Sequence, residues 1–330
     1  MNALIKALIV AVAVTALVIA GSYAYLRHFT RTRLLISTTT SLWETGLLNA
    51  TKQAFEEKYQ IDLGFLPVGT GQAIQQAQGG NVDALLVHSP TNETQFLLGG
   101  DGVCRKIIAY NFFTIIGPES DPAKINGSSP TSALKKIVDY GRSHTERIWV
   151  SRGDGSGTHT KEKSLWAKVN YSYMQISQEL WYASAGSGMS ATLNMANEFG
   201  AYTLSDIGTY LKLAKDHTIS LVQYMTETKD LLNVYSVIAV NQTRHPNVNF
   251  TNAITFIKYL ISDECQQLIE NYGKDEYGQG LFHSAVQLLK QNSTLQIAQW
   301  IKEYAFIKEG TESYECPPQY QDSHYPELYE

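Results

Sequence analysis

One kind of loop occurs four times in this chain: STTTS (Ser37 to Ser41), VGTGQ (Val68 to Gln72), SRGDGSGT (Ser151 to Thr158) and SAGSGM (Ser184 to Met189). Each mixes small residues with hydroxyls and precedes a predicted helix, and the first three follow predicted strands. Repeated strand, loop and helix units point to α/β architecture. In open α/β sheets the loops at the carboxyl ends of strands converge, and ligands bind there. Taken singly, such a loop is a turn plus a helix N-cap, because Ser, Thr and Gly are the ordinary capping residues. Four in one chain point to a shared site.

The intervening pattern places these loops. RLLIS is a short apolar strand before the first loop, and Glu44 to Tyr59 reads as the helix after it. IDLGFLPV, DALLV and NFFTIIG read as further strands, followed by a polar connection rich in Pro and Ser. A second α/β region then begins, with ALKKIVDYGR helical, RIWV a strand, and Thr158 to Val169 a helix. VYSVIAVN is a strong strand, ITFIKYLIS and STLQIAQWIKEYAF are helical, and the last fifteen residues form a polar tail rich in Tyr and Pro.

The chemistry of the loops suits an anion. Glycine lets successive backbone N–H groups point into one concavity, and a following helix adds unpaired donors and partial positive charge. Hydroxyls add donors without a repelling charge. Arg152 is the one full positive charge within the four loops, and a guanidinium offers forked donors to an oxyanion. One arginine with many neutral donors fits a small, symmetric, doubly charged oxyanion. No lysine follows a glycine loop at the G-x-x-x-x-G-K-[ST] spacing, which argues against a nucleotide-type phosphate loop.

Outside the loops, composition narrows the class. A hydrophobic share of 44% with 17% charged residues describes a folded globular protein, and a net charge of -5 argues against nucleic acid. Between Lys6 and Arg27 runs ALIVAVAVTALVIAGSYAYL, about twenty uncharged residues, long enough to cross a bilayer. Residues 1–33 are therefore expected to be a signal peptide or a membrane anchor, with Ser22-Tyr23-Ala24 a small-residue cleavage candidate. Basic residues flank the run on both sides (Lys6; Arg27, Arg31 and Arg33), so orientation stays open. Sequons at Asn49, Asn92, Asn126, Asn170, Asn241, Asn249 and Asn292 agree with an exported, glycosylated body. Of the three cysteines, Cys265 with Cys316 is a candidate staple for the C-terminal tail, with unrelated free thiols the alternative.

In their order, the loops and their flanks resemble the tungstate-specific ABC transporter substrate-binding proteins, relatives of molybdate and phosphate binders. The matching stretches are TTTS, VGTGQA, LLVHSP, YNFFTIIGP, SRGDGSGTHTKE, ATLNMANEFGAYTLSDIGTY and YSVIAVN with RHPNVN, collinear from about Leu34 to Phe282. The resemblance implies an α/β, two-lobe type II periplasmic-binding-protein fold with two crossover segments, preceded by an N-terminal hydrophobic helix. Lobe I would take residues 34–113 and 236–302, lobe II 114–235, and a C-terminal extension 303–330. NFFTIIG and VYSVIAVN would be the crossovers. It also implies an extracytoplasmic protein that binds tungstate, or molybdate, and hands it to an ABC permease, using no cofactor. Arg152 and Thr158 would carry the anion contacts of the SRGDxSGTH motif. Thr39 and then Thr40 would act from the TTTS loop, with Thr70 and the backbone from Ser187 to Met189 as further contacts.

The motif usually reads SRGDDSGTH, and Gly155 stands here in place of its second aspartate. The change makes the loop similar to the RSDGSGT loop of phosphate-binding proteins. Phosphate near neutral pH carries a proton and calls for a buried acceptor, whereas tungstate and molybdate are fully ionised and offer only acceptors. Asp154 turned toward the anion would favour phosphate; Asp154 bracing Arg152 or a helix N-terminus would favour tungstate. The TTTS and VGTGQA loops favour tungstate. Two readings from other classes are a membrane-tethered hydrolase using Ser156 and His159, and an adhesion protein exposing RGD. The hydrolase lacks G-x-S-x-G and a positioned third member. No HExxH or His/Cys cluster suggests a metal.

Overall fold

Two long strands, one of which passes from one lobe into the other, organise the computed structural model, which describes residues 2–29, 32–225, 227–291 and 293–330. The chain opens with helix α1 (Ala3–Phe29), then β1 (Arg33–Thr39), α2 (Thr40–Glu44), α3 (Leu47–Tyr59), β2 (Asp62–Val68), α4 (Thr70–Gln78), β3 (Ala84–Val87) and α5 (Pro90–Leu98). The long β4 (Gly102–Gly117) leads to α6 (Pro130–Arg142), β5 (Trp149–Ser151), α7 (Gly157–Lys168), α8 (Tyr173–Ile176), β6 (Tyr182–Ser184), α9 (Met189–Phe199), β7 (Thr203–Asp206), α10 (Ile207–Lys215) and β8 (Val222–Gln223). The return strand β9 (Leu232–Val240) is followed by α11 (Phe250–Leu260), α12 (Asp263–Asn271), α13 (Lys274–Tyr277), β10 (His283–Ser284), α14 (Val286–Lys290) and α15 (Gln296–Ala305). A hairpin of β11 (Ile307–Glu309) and β12 (Glu312–Tyr314) comes last.

The first-lobe sheet has the order β10-β4-β9-β3-β1-β2, with β1 parallel to β2 and β3, and β9 antiparallel to β3 and β4. Strand β4 changes partners midway: Phe112 still pairs with Leu232 of β9, but Phe113 pairs with Asp206 of β7. One crossing therefore happens inside an unbroken strand, within the NFFTIIG stretch. The other comes just before VYSVIAVN, through a 3-10 turn at Lys229–Leu231, because VYSVIAVN itself pairs with β3 and β4. In the second lobe β5 runs parallel to β6, and Trp149 bridges to Tyr202 beside β7.

Strand alternation sends successive side chains to opposite faces. Leu34 and Ile36 of β1 join Phe55, Phe256 and Tyr259 on one side of the first sheet. Leu85, Val87, Ile238 and Val240 join Ala73, Ala77 and Phe96 on the other. The second lobe is built around Trp149, Trp166, Trp181, Leu134 and Ile137.

Three expectations are revised or narrowed. The helix expected over Glu44 to Tyr59 is two helices, broken at Gly46, whose φ of 83° suits glycine. The Tyr272 hydroxyl donates to the Thr45 carbonyl there (3.0 Å), and a Cβ on Gly46 would stand 2.5 Å from it. Of the two cysteine readings, the structure shows the free-thiol one: Cys104, Cys265 and Cys316 are all buried and unpaired. The C-terminal tail is folded against the first lobe. Arg105 and Glu93 are both fully buried, and Arg105 donates to Glu93 Oε2 from Nε (3.0 Å) and Nη2 (2.7 Å). Its Nη1 reaches the carbonyls of Ala305 and Glu315 at 2.8 Å each, pinning both ends of the β11–β12 hairpin.

The N-terminal run forms α1, and Val12, Leu17 and Ile19 on it are exposed. Among the described residues no helix is long and apolar enough to cross a membrane. Arg31 of the expected basic flank and the sequon residue Asn292 lie outside the described residues.

Removing one partner of a buried, fully bonded ion pair leaves a charge uncompensated, at about 3–5 kcal/mol. Arg105→Ala is therefore expected to lower the urea midpoint by that order and to open residues 306–330 to proteolysis. Unchanged stability with a protected tail would contradict this role.

Candidate functional site

The STTTS, VGTGQ, SRGDGSGT and SAGSGM loops lead into α2, α4, α7 and α9, and residues of all four line one cleft of about 740 Å³ between the lobes. Thr40, Gly69 and Gln72 face it from the first lobe; Arg152, Ser187 and Gly188 face it from the second. The fourth loop also follows a strand, β6, which was too short to read in the sequence.

Arg152 is 2% exposed and is held from both lobes. Its Nε donates to Asp154 Oδ2 (2.9 Å), and its Nη2 donates across the cleft to Thr40 Oγ1 (2.9 Å). Asp154 Oδ1 accepts from the Ser156 amide at 3.0 Å. Both carboxylate oxygens of Asp154 are thus engaged in bracing the arginine and the start of α7.

Several buried polar atoms on these elements have no partner: Arg152 Nη1, Thr70 Oγ1, Thr158 Oγ1 and, at the end of β1, Thr38 Oγ1. Thr70 and Thr158 lie in the first turns of α4 and α7, where backbone N–H groups are also unpaired by the helix. Leaving such donors buried and unmade costs free energy, so each is a position where an acceptor would be stabilising; Arg152 itself lines the cleft, whereas Thr38, Thr70 and Thr158 lie behind the residues that line it.

The other expected residues are placed as follows. Thr39 caps α2, with Oγ1 accepting from the Leu42 amide (3.3 Å), and its hydroxyl also meets Ser41 Oγ (3.3 Å). Thr40 accepts from Arg152, which leaves its own proton available. Ser187 lines the cleft. The Met189 side chain is buried in an apolar cluster of the second lobe, so only its backbone, at the first turn of α9, is on offer.

Local packing explains why the third loop has its shape. Glu162 is buried and accepts from Trp149 Nε1 (2.8 Å), Trp166 Nε1 (3.0 Å), Tyr182 Oη (2.6 Å) and Ser151 Oγ (2.6 Å). This one carboxylate ties β5, β6 and α7 together. Gly153, at φ 64°, lets the third loop touch the fourth, since a Cβ there would lie 1.8 Å from Ser184 Oγ. Ser156 is the N-cap of α7, accepting from the His159 amide (3.3 Å), and His159 Nδ1 accepts from the Gly155 amide (2.9 Å). The Ser156 hydroxyl and the Nδ1 of His159 are thus engaged with backbone, and His159 Nε2 is buried without a partner.

Two residues escaped the sequence reading. His88 is buried, stacks on Tyr235 (4.9 Å), and sits under Gly157, where a Cβ would come within 2.8 Å of its ring. Asn233 gives its N–H groups to Asn111 Oδ1 (2.9 Å) and Tyr235 Oη (2.8 Å), so its Oδ1 must accept from His88 Nδ1–H (2.8 Å). His88 Nε2 is then an acceptor facing the Ser41 hydroxyl (3.4 Å), which turns the Thr39 proton toward Ser41. Burial pushes His88 down to about 4 from its usual 6.5, aided by the Arg152 charge, against the Asn233 hydrogen bond. Glu44, on the cleft wall, meets Ser190 Oγ (3.3 Å), and burial with the charge of Asp206 raises its carboxyl above the usual range. LLVHSP and TTTSLWETG held both residues, but nothing local marks them for the cleft.

His88 gives a signed pH dependence. The unfolded ring takes up a proton near 6.5 and the folded ring only near 4, so acidification favours unfolding across that window. Up to about 3 kcal/mol of stability should be lost on going from pH 7 to pH 4. Urea midpoints of the native chain and of His88→Gln at both pH values check this; equal slopes for the two would contradict it.

The comparisons agree with this geometry. A family model described as a PBP superfamily domain matches residues 28–264. The tungstate-binding protein TupA of Peptoclostridium acidaminophilum is 39% identical over 252 residues, which is 76% of this chain and 84% of that one. The solved structure of the tungstate-binding protein TupA from Desulfovibrio alaskensis G20 is 38% identical, with a TM-score of 0.66 over 77% of this chain and 98% of that one. The tungstate ABC transporter structure from Geobacter sulfurreducens is also 38% identical, with a TM-score of 0.65 over 73% and 98%. With its four loops around one interlobe cleft, this chain belongs to the PBP superfamily and, within it, to the tungstate ABC transporter substrate-binding proteins.

Proposed function

We propose that the chain captures a fully ionised tetrahedral oxyanion, tungstate first and molybdate next, between its lobes and delivers it to an ABC permease. The observation that carries this is the imbalance of donors on the loops and helix starts around the cleft. Arg152 Nη1, Thr70 and Thr158 are buried donors without acceptors, whereas both oxygens of the nearby Asp154 are occupied. An anion that brings only acceptors satisfies such donors, whereas a protonated phosphate would have to share the Asp154 oxygens with Arg152 and the Ser156 amide. Thr40 and the amides from Ser187 to Met189 complete the reading, with Thr39 serving mainly to shape its loop.

Because Arg152 already touches Thr40 of the opposite lobe, an anion bonded to Arg152, Thr70 and Thr158 would stabilise the closed arrangement. The chain is read as a binding protein, not an enzyme, since donors outnumber acid and base groups in the cleft. Its place is extracytoplasmic, with α1 as anchor or signal and its exposed apolar side chains as the support. Exposed Asn49, Asn126 and Asn170 are the sequons proposed for glycosylation, since Asn92, Asn241 and Asn249 bond Ser89, Gly100 and Arg33.

Calorimetry tests the site by variant. Arg152→Ala should weaken tungstate binding about tenfold or more, as expected for a charged hydrogen bond worth ~1.5–3 kcal/mol. Asp154→Asn should weaken it less, by loosening Arg152. Full affinity in Arg152→Ala would sink the reading.

Glu44 adds a second expectation. An ionised carboxylate on the cleft wall repels a divalent anion, so affinity should rise as pH falls through its elevated pKa. Glu44→Gln should bind severalfold tighter at neutral pH and lose that rise. Weaker binding in Glu44→Gln would show instead that the bond to Ser190 matters more than the charge.

A further inference from the structure

The cysteine spacing suggested Cys265 and Cys316, but the fold brings a different pair together. Cys104 lies in an irregular part of β4, at φ 57°, where the register with β9 shifts between Val103 and Lys106. Its thiol is buried and faces the C-terminal segment, accepting from the Asp322 backbone N–H. Cys316 comes against the same stretch from the C-terminal segment: its buried thiol donates to the Tyr320 carbonyl (3.4 Å) and is bonded by the Arg105 backbone N–H, one residue from Cys104.

The neighbours fix this juxtaposition. Glu315, next to Cys316, accepts from Arg105 Nη1 through its carbonyl (2.8 Å), from Lys106 Nζ (2.6 Å) and from the Ile107 amide (2.5 Å). The Tyr329 hydroxyl is buried near both thiols and has no hydrogen-bond partner. A cavity of about 300 Å³, lined by Lys106, Glu315, Cys316 and Tyr329 among others, opens beside them. Cys265 belongs elsewhere, on α12 beside Tyr259.

We propose that Cys104 and Cys316 are a disulfide-forming pair that fastens the C-terminal segment onto β4. The oxidant is a dithiol-exchanging disulfide, small or protein-borne. The Cys316 thiolate attacks one of its sulfurs, forming a mixed disulfide and releasing one thiolate. The Cys104 thiolate then attacks the Cys316 sulfur, forming the Cys104–Cys316 bond and expelling the second thiolate. The two protons lost by the cysteines end on the two released thiols, and the oxidant's disulfide is reduced by two electrons. Burial pushes the Cys316 thiol up to about 11 and raises Cys104, so the folded chain reacts slowly and the bond forms best during folding.

The experiment is to refold the full chain with oxidised and reduced glutathione, block free thiols with iodoacetamide under denaturing conditions, and map peptides without reduction. The expected product links Cys104 to Cys316 and leaves Cys265 alkylated. Cys265→Ser should keep the link and Cys316→Ser should abolish it. Reductant should lower the melting midpoint of the oxidised native chain by ~5 °C and leave Cys316→Ser unmoved. Three alkylated cysteines, or a link that uses Cys265, would overturn the proposal.

Discussion

The grip on Arg152 is the constraint on which the rest of the cleft depends. A buried guanidinium needs partners for its donors, and this one divides them: Asp154 from its own loop, Thr40 from the opposite lobe, and none for Nη1. The first fixes the plane of the group, the second spans the cleft, and the third is left for an acceptor from outside. A buried positive charge with an unused donor is costly unless something completes it. On the proposed function, an anion that fills this position would stabilise the arrangement and favour lobe closure.

The fold supplies rigid backing for this one group. Strand β4 belongs to both lobes, so the crossing is made by continuous hydrogen-bonded backbone. Glu162 fixes the third loop from below through four hydrogen bonds, and within the first lobe the Asn111, Asn233 and His88 chain fixes the first loop. Both networks are buried and polar, with donors and acceptors matched in number, which is what such networks require in order to specify one geometry. Behind them the C-terminal helix touches the joint itself: Lys229 pairs with Glu303, and Lys161 lies 4.6 Å from the Tyr304 ring while donating to the Leu232 carbonyl.

Much of this was legible in the sequence because it is local. Small residues and hydroxyls before a helix mark N-caps and anion-facing amides, and they singled out Thr70, Arg152 and Thr158, each of which carries a buried polar atom without a partner. The strands showed through their apolar runs. What stayed hidden depends on distant contacts. His88 looks like any strand-end histidine until Asn233, 145 residues away, sets its tautomer. Glu44 reads as part of a helix, but Gly46 ends that helix because Tyr272 packs against the break. That Asp154 braces Arg152 depends on where Arg152 Nε points, which the sequence does not show. Cysteine spacing left the pairing open because β4 and the C-terminal segment are neighbours in space only.

The central claim is that the cleft selects an anion with acceptors alone, and one calorimetric series on the native chain at neutral pH tests it most directly. Tungstate, molybdate, sulfate and phosphate are titrated in turn. The account predicts tight binding of tungstate, molybdate as its nearest competitor, and phosphate much weaker. A preference for phosphate, or no oxyanion binding at all, would contradict it.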